Sequence, residues 1–206
     1  MRDIQPMSSL AIVIFVLRLV VLLAVINVVV LFNALVTLRH RITAAYAQID
    51  GQLKRRYELI LNLVETANGY LKHERGTLEA VLEARYAAAT ANTGVAAKPG
   101  DPSAMHVLAS SEITLNGTLD RLFALTASYP DLKANATMLR LMEDLTSTEN
   151  KLVFFRQAFN AAVKAYNTKR ELFPSSVIAE TFCFSLAGMF AIQHQEERLA
   201  PPAVLV

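Results

Sequence analysis

One run of the chain constrains everything else. Leu10 to Phe32 reads LAIVIFVLRLVVLLAVINVVVLF, 23 residues with only two polar interruptions. A helix needs about 20 apolar residues to cross the hydrocarbon core of a bilayer. The run is too long for the core of a signal peptide, and it flows into NALVTLRHR with no small-residue cleavage site. It is therefore expected to be an uncleaved transmembrane helix. The interruptions are Arg18 and Asn27. An arginine inside hydrocarbon costs about 2.5–3.5 kcal/mol on insertion scales. Two readings of Arg18 stay open: its long stem carries the charge to a nearby headgroup layer, or it faces another anchor helix or a protein partner. Only Arg2, beside Asp3, precedes the run, whereas Arg39, Arg41, Lys54, Arg55 and Arg56 follow it. The excess of positive charge on the cytoplasmic side of membrane helices then puts the N-terminus outside and the rest of the chain in the cytoplasm.

The remaining residues fit one domain. No stretch alternates with the period of a strand, so the fold class expected is all-α, an anchor helix continuing into an antiparallel bundle of long helices. Residues 33–92 contain no proline, and Ile42, Ala45, Ile49, Leu53, Ile60, Leu63, Ala67 and Tyr70 form one apolar stripe. Asn68-Gly69 is the one weak point in it. ANTGVAAKPGDP, residues 91–102, reads as a loop. Helix resumes with Met105, Leu108, Leu115, Leu119 and Leu122, turns at Ser128-Tyr129-Pro130-Asp131, and runs on to about Arg170. After Phe173-Pro174, an apolar segment VIAETFCFSLAGMFAI predicts a last helix from about Val177 to Gln193, capped by Ser176 and packed on the bundle or on the bilayer surface. The tail APPAVLV is expected to be loosely attached. The division is thus a tail at 1–9, a transmembrane helix at 10–32, a bundle at 33–173, and an apolar C-terminal helix and tail at 174–206.

A break at Asn68-Gly69 gives bundle helices of about 36, 22, 26 and 40 residues, which bring the C-terminal segment back to the membrane at 1.5 Å per residue. Four helices are favoured on that ground, with three longer helices as the alternative.

Several stripe positions carry charge: Arg56, Arg85, Glu112, Glu149 and Arg156. Buried charges must be paired. In the four-helix arrangement Arg56, Arg85, Glu112 and Glu149 fall within about two residues of the same height. This predicts a buried ionic layer of those four, with Asp50 near Arg156 one to two turns away. A layer of this kind can fix helix register; a catalytic use is the weaker reading, because nothing nearby supplies a nucleophile or a metal set.

Other chemistry is excluded by pattern. A di-iron bundle needs Glu-x-x-His on two helices, and none of His40, His73, His106 and His194 follows a glutamate by three. There is no His-Glu-x-x-His, no phosphate-binding glycine loop and no Gly-x-Ser-x-Gly. Asn116-Gly-Thr and Asn135-Ala-Thr match glycosylation sequons but fall within predicted helices. Cys183, between Phe182 and Phe184, is the lone cysteine and reads as a buried, inert thiol. A net charge of +2 offers no wide basic face for nucleic acid. No cofactor and no metal are expected.

The residues Asn33-Ala-Leu-Val36, Gln48-Ile-Asp-Gly-Gln-Leu-Lys-Arg-Arg-Tyr57 and Asn62-Leu-Val-Glu-Thr66 form the first part of a pattern. Gly69-Tyr70, His73-Glu74, Ala84-Arg85 and Tyr129-Pro-Asp-Leu-Lys-Ala-Asn135 continue it, as do Thr148-Glu-Asn150, Asn160, Tyr166-Asn167 and Phe173-Pro174. In that order, over about residues 30–180, the chain resembles the LemA family. The sequence departs from the family at Leu61, where proline is usual, at Tyr46, where tryptophan is common, and after Cys183, where a Gly-Phe and an acidic-aromatic ending are missing. The resemblance implies a bacterial protein with an N-terminal membrane helix and a helical bundle. It also implies a place near membrane metalloproteases or other envelope proteins, since family genes often lie beside them, and a relative acts in magnetosome membrane formation. The function expected is a non-enzymatic scaffold or adaptor in the bacterial inner membrane or a specialised organelle membrane, which self-associates through its anchor into a homo-oligomer or docks envelope partners. The alternative is a regulatory subunit of a membrane protease or envelope-stress system.

Overall fold

The structure is a computed structural model that describes residues 9–71 and 73–191. The tail APPAVLV, the first eight residues and the end of the predicted last helix at Gln193 lie outside the described residues. Among those described there is no strand. The elements are α1 (Ser9–Asn68), α2 (Arg75–Ala97), α3 (Pro102–Thr126), the single turn α4 (Pro130–Lys133), α5 (Ala136–Glu171) and α6 (Ser175–Thr181). The architecture is all-α, and α1, α2, α3 and α5 are the four long helices of a bundle.

α1 is one helix of 60 residues. Neither proline nor glycine falls between Phe32 and Asp50, so nothing removes a donor or loosens the backbone where the apolar run gives way to the bundle. Side chains 11–30 are all exposed, while Leu31, Leu35, Ile42, Ile49, Leu53, Ile60 and Leu63 are buried. α1 is the one helix among the described residues long and apolar enough to cross a membrane.

The helix ends at Asn68, where the N–H groups of Tyr70 and Leu71 both bond the Ala67 carbonyl. The stripe finishes on Leu71, fully buried, while Tyr70 is exposed. The second connection differs from the expected loop at 91–102. α2 continues to Ala97, because Asn92 and Val95 face inward and hold the helix against α1, and the turn shrinks to Lys98–Asp101. Gly100 there has φ 86°, the left-handed region open to glycine. Asp101 then caps α3 by accepting from the Ala104 N–H at 3.1 Å, with Pro102 in the first turn. Asn135 caps α5 in the same way, accepting from Met138 at 3.0 Å. Its amide nitrogen, the atom a sequon presents, donates to the Tyr70 hydroxyl at 3.0 Å.

α5 lies along α1, α2 pairs with α3 and also packs on α1, and α6 closes on both α1 and α5. Leu35, Ile42, Tyr46, Ile49, Leu53, Leu108, Leu115, Phe159 and Val163 form the centre of one continuous core.

The predicted C-terminal helix is corrected. α6 stops at Thr181 after seven residues, and from Phe184 to Ala191 the chain has no helical structure. Nor does Ser176 cap it; the residue at that position is Pro174. Cys183 turns the chain at φ 55° and is exposed, not buried between its phenylalanines.

Candidate functional site

The side chains with chemical potential meet halfway along the bundle. Arg56 on α1 is buried and points inward from the apolar stripe. Its Nη1 donates to Glu112 Oε2 at 2.9 Å, and its Nη2 donates to Asn116 Oδ1. Glu149 Oε2 lies 3.0 Å from the same Nη1 without hydrogen-bond geometry, so that contact is Coulombic. Arg156 Nη2 stands 3.8 Å from Glu149 Oε1. Tyr57 completes the group by donating its hydroxyl to Glu112 Oε1 at 2.6 Å. Two arginines and two glutamates thus neutralise one another in the apolar interior.

Electrostatics here is governed by burial. Glu112 is 1% exposed, and desolvation pushes its carboxyl above the ordinary range against the pull of Arg56 and Tyr57. Desolvation lowers the Arg156 guanidinium and, joined by the Glu112 charge, raises the Tyr57 phenol. The cluster encloses a cavity of about 10 Å³, lined by Leu53, Arg56, Glu112, Glu149, Leu152, Arg156 and Phe190. That is at most the space of one water.

Phe190 is the lid. It arrives on the strap that follows α6, and its ring lies 5.8 Å from the Arg156 guanidinium carbon. The strap is held by side-chain amides. Asn160 accepts from the Phe190 N–H at 2.8 Å and donates to the Phe190 carbonyl at 3.1 Å. Asn167 makes the same exchange with Ala187, at 3.0 and 2.9 Å. Tyr166 donates to the Ser185 carbonyl and Arg170 to that of Phe184. The spacing explains the fit: seven residues of helix rise about 10.5 Å, and three residues of extended chain span about 10 Å. The strap therefore runs antiparallel to α5 as an extended segment. Its far side touches the α2–α3 turn, where the Gly188 N–H donates to Gly100 at 2.8 Å. A Cβ on Gly188 would stand 2.6 Å from Pro102 Cα. Asn160, Tyr166 and Asn167 belong to the pattern read from the sequence, and the strap is what they hold.

A family model described as LemA family matches residues 45–204. The chain belongs to the LemA family. Comparison with curated proteins gives no match. The match begins within the bundle half of α1 and takes in the strap, so both the ionic cluster and its lid lie in the part this LemA protein shares with its family.

The structure brings Arg56, Glu112, Glu149 and Arg156 together and leaves Arg85 out. Arg85 reaches the expected height, but its Nε donates to the Tyr57 backbone carbonyl at 2.9 Å. Both Glu112 oxygens are already taken, one by Arg56 and one by Tyr57. The pairing of Asp50 with Arg156 is also corrected. Asp50 binds Lys54 at 2.7 Å and accepts from Asn92 at 2.7 Å, and Asn92 in turn accepts from the Tyr46 hydroxyl at 2.6 Å. Arg156 is drawn to Glu149 on its own helix instead. The sequence assigns no part in the ionic layer to Tyr57, Tyr46, Asn92 or Asn116: the tyrosines and Asn116 enter only through the family pattern or a sequon, and Asn92 sits in what reads as a loop. Arg18 and Asn27 are both exposed on α1. A trough of about 660 Å³ is lined by Glu143, Thr146, Ser147, Asn150, Lys151, Phe154 and Phe155. All seven belong to α5, so no second element converges on it.

Proposed function

We propose that this LemA protein is a non-enzymatic scaffold, anchored in the bacterial inner membrane by the first half of α1 and self-associating through that anchor. The observation that carries the reading is the continuity of α1. Exposed apolar side chains over residues 11–30 give way to side chains buried in the bundle from Leu31 onward on a single unbroken helix, so the bundle moves as one body with its anchor. Two further observations support it. The ionic cluster is closed by Phe190 around about 10 Å³, which suits a register-fixing role and leaves no room for a substrate. Asn27 lies one turn before the buried Leu31, whereas Arg18 lies nine residues earlier, roughly half a revolution away. Polar groups on two faces of an anchor suit a helix with two neighbours. The bundle faces the cytoplasm in this reading, on the evidence of Arg39, Arg41, Lys54, Arg55 and Arg56 after the span.

The test is the mass of the intact complex extracted in mild detergent. A homo-oligomer that falls to monomer in Arg18→Leu/Asn27→Leu supports the proposal. A wild-type monomer overturns self-association, and a stoichiometric protease in the complex favours the regulatory-subunit reading instead. Orientation is read separately from Ser128→Cys on a Cys183→Ser background, at an exposed position far from the anchor: an impermeant thiol reagent should modify it in inverted vesicles and not in intact spheroplasts.

A further inference from the structure

α1 fixes the height of the bundle above any bilayer it enters. A 23-residue run rises about 34 Å and so fills a hydrocarbon core of about 30 Å, which leaves its last turn, with Phe32, at the boundary. α6 is locked to that turn. The rings of Phe182 and Phe184 stand edge-on to Phe32, with centroids 5.0 and 5.5 Å away. Ile178 and Ala179 of α6 are buried on the bundle side. Whatever α6 and its approach leave exposed is therefore presented at the level where the membrane begins.

What they leave exposed is apolar. Leu172, Phe173, Val177 and Phe182 are each at least half exposed, Phe173 at 84%. Single exposed apolar residues are ordinary. Four large ones within eleven residues, beside the lipid-length face of α1 that carries exposed Val28, Val29 and Val30, are not. Glu171 precedes the group and exposed Glu180 stands within it, with Lys169 and Arg170 further upstream. The mixed signs give no strong attraction to anionic headgroups, so the surface is suited to hydrophobic contact.

We propose that Leu172, Phe173, Val177 and Phe182 form a second membrane contact, seated in the interfacial layer of the same bilayer that α1 crosses. The occupant is lipid because the face is continuous with the apolar run at its boundary. This inference rests on the anchor reading above. Its consequence is mechanical. A single span is free to tilt; a second contact on one side gives the bundle a set lean and stops the whole molecule spinning about the α1 axis.

The test uses the full chain in nanodiscs of neutral phosphatidylcholine, carrying one fluorophore at a time on a single cysteine. The sites are native Cys183 and, on a Cys183→Ser background, Val177→Cys, Val21→Cys and Ser128→Cys. Ser128 is exposed at the distal end of the bundle. Labels at Val177 and Cys183 should be quenched by nitroxide held near the lipid headgroup, and should be several-fold less open to aqueous iodide than Ser128. Phe173→Asp/Val177→Asp, which alters only exposed positions, should raise the iodide access of Cys183 with the helical circular dichroism unchanged. Equal iodide quenching at Val177, Cys183 and Ser128, with Val21 still shielded, overturns the second contact and leaves the anchor standing. Iodide access at Val21 overturns both.

Discussion

Arg56 is the residue on which the interior depends. It touches Glu112, Asn116 and Glu149 at once, so Arg56→Met leaves the buried Glu112 carboxylate without its cation. Removing one partner of a buried pair costs about 3–5 kcal/mol, while replacing both by apolar groups is often neutral. Arg56→Met should therefore lower the chemical-denaturation midpoint strongly, and Arg56→Met/Glu112→Leu should recover much of the loss. An equal loss in both variants would mean that packing around the cluster matters and the ion pair does not. Glu112 has a pH signature of its own. Burial raises its carboxyl above the ordinary value of 4.5, so the folded chain holds this proton more tightly than the unfolded chain. Stability linked to it is complete below the unfolded-state value and is lost as pH rises through the folded-state value. The stability of the wild type relative to Glu112→Gln should decline from about pH 4.5 upward, with a slope no steeper than about 1.4 kcal/mol per pH unit. A difference that grows with pH would show that Arg56 outweighs burial. Much of this cluster was legible: charges on an apolar stripe must meet, and helix rise says at what height. Rise is silent on which oxygen is already occupied, and so it gives Arg85 the right level and the wrong partner.

The strap shows where pattern reading fails at the scale of elements. Short apolar runs do not distinguish a buried helix from a buried extended segment, and VIAETFCFSLAGMFAI gives no alternation to decide it. Backbone satisfaction decides it instead. The N–H and carbonyl groups of Ala187 and Phe190 are met by two asparagines seven residues apart on another helix, which no local rule can anticipate. The loop expected at 91–102 fails for a related reason: tertiary bonds from Asn92 to α1 carry α2 through Gly94 to Ala97. Asn160→Ala or Asn167→Ala leaves one N–H and one carbonyl of the strap unpaired, at about 1–3 kcal/mol for each buried group. Hydrogen exchange should accelerate at Ala187 or Phe190, respectively nearest Asn167 and Asn160, with α1, α2 and α3 unchanged. Gly188→Ala should release the strap from the Pro102 side, because its Cβ has no space there. Protection that survives all three substitutions would mean Phe184 and Phe190 hold the strap by packing alone.

For the whole molecule, the decisive feature is that one helix carries the phase of the anchor into the bundle. From Asn33 to Asn68, α1 rises about 53 Å without a break, so the direction in which an anchor face points fixes the direction of every bundle face. Arg18 and Asn27 point to roughly opposite sides. A two-fold contact buries one patch against its own copy, whereas an association using both sides is head-to-tail and closes into a ring or extends as a filament. If anchors and bundles both contribute to that association, their relative phase matters. Each residue inserted between Asn27 and Leu31 turns the anchor by about 100° relative to the bundle. Two inserted alanines turn it about 200° and should disrupt the oligomer; four turn it about 40° past a full revolution and should largely restore it, although the anchor is then longer than with two. Length alone predicts a steady decline with insert size, and phase predicts recovery at four. Intact mass in mild detergent separates the two, and a mass indifferent to every insert would mean that anchor and bundle do not act together in the association.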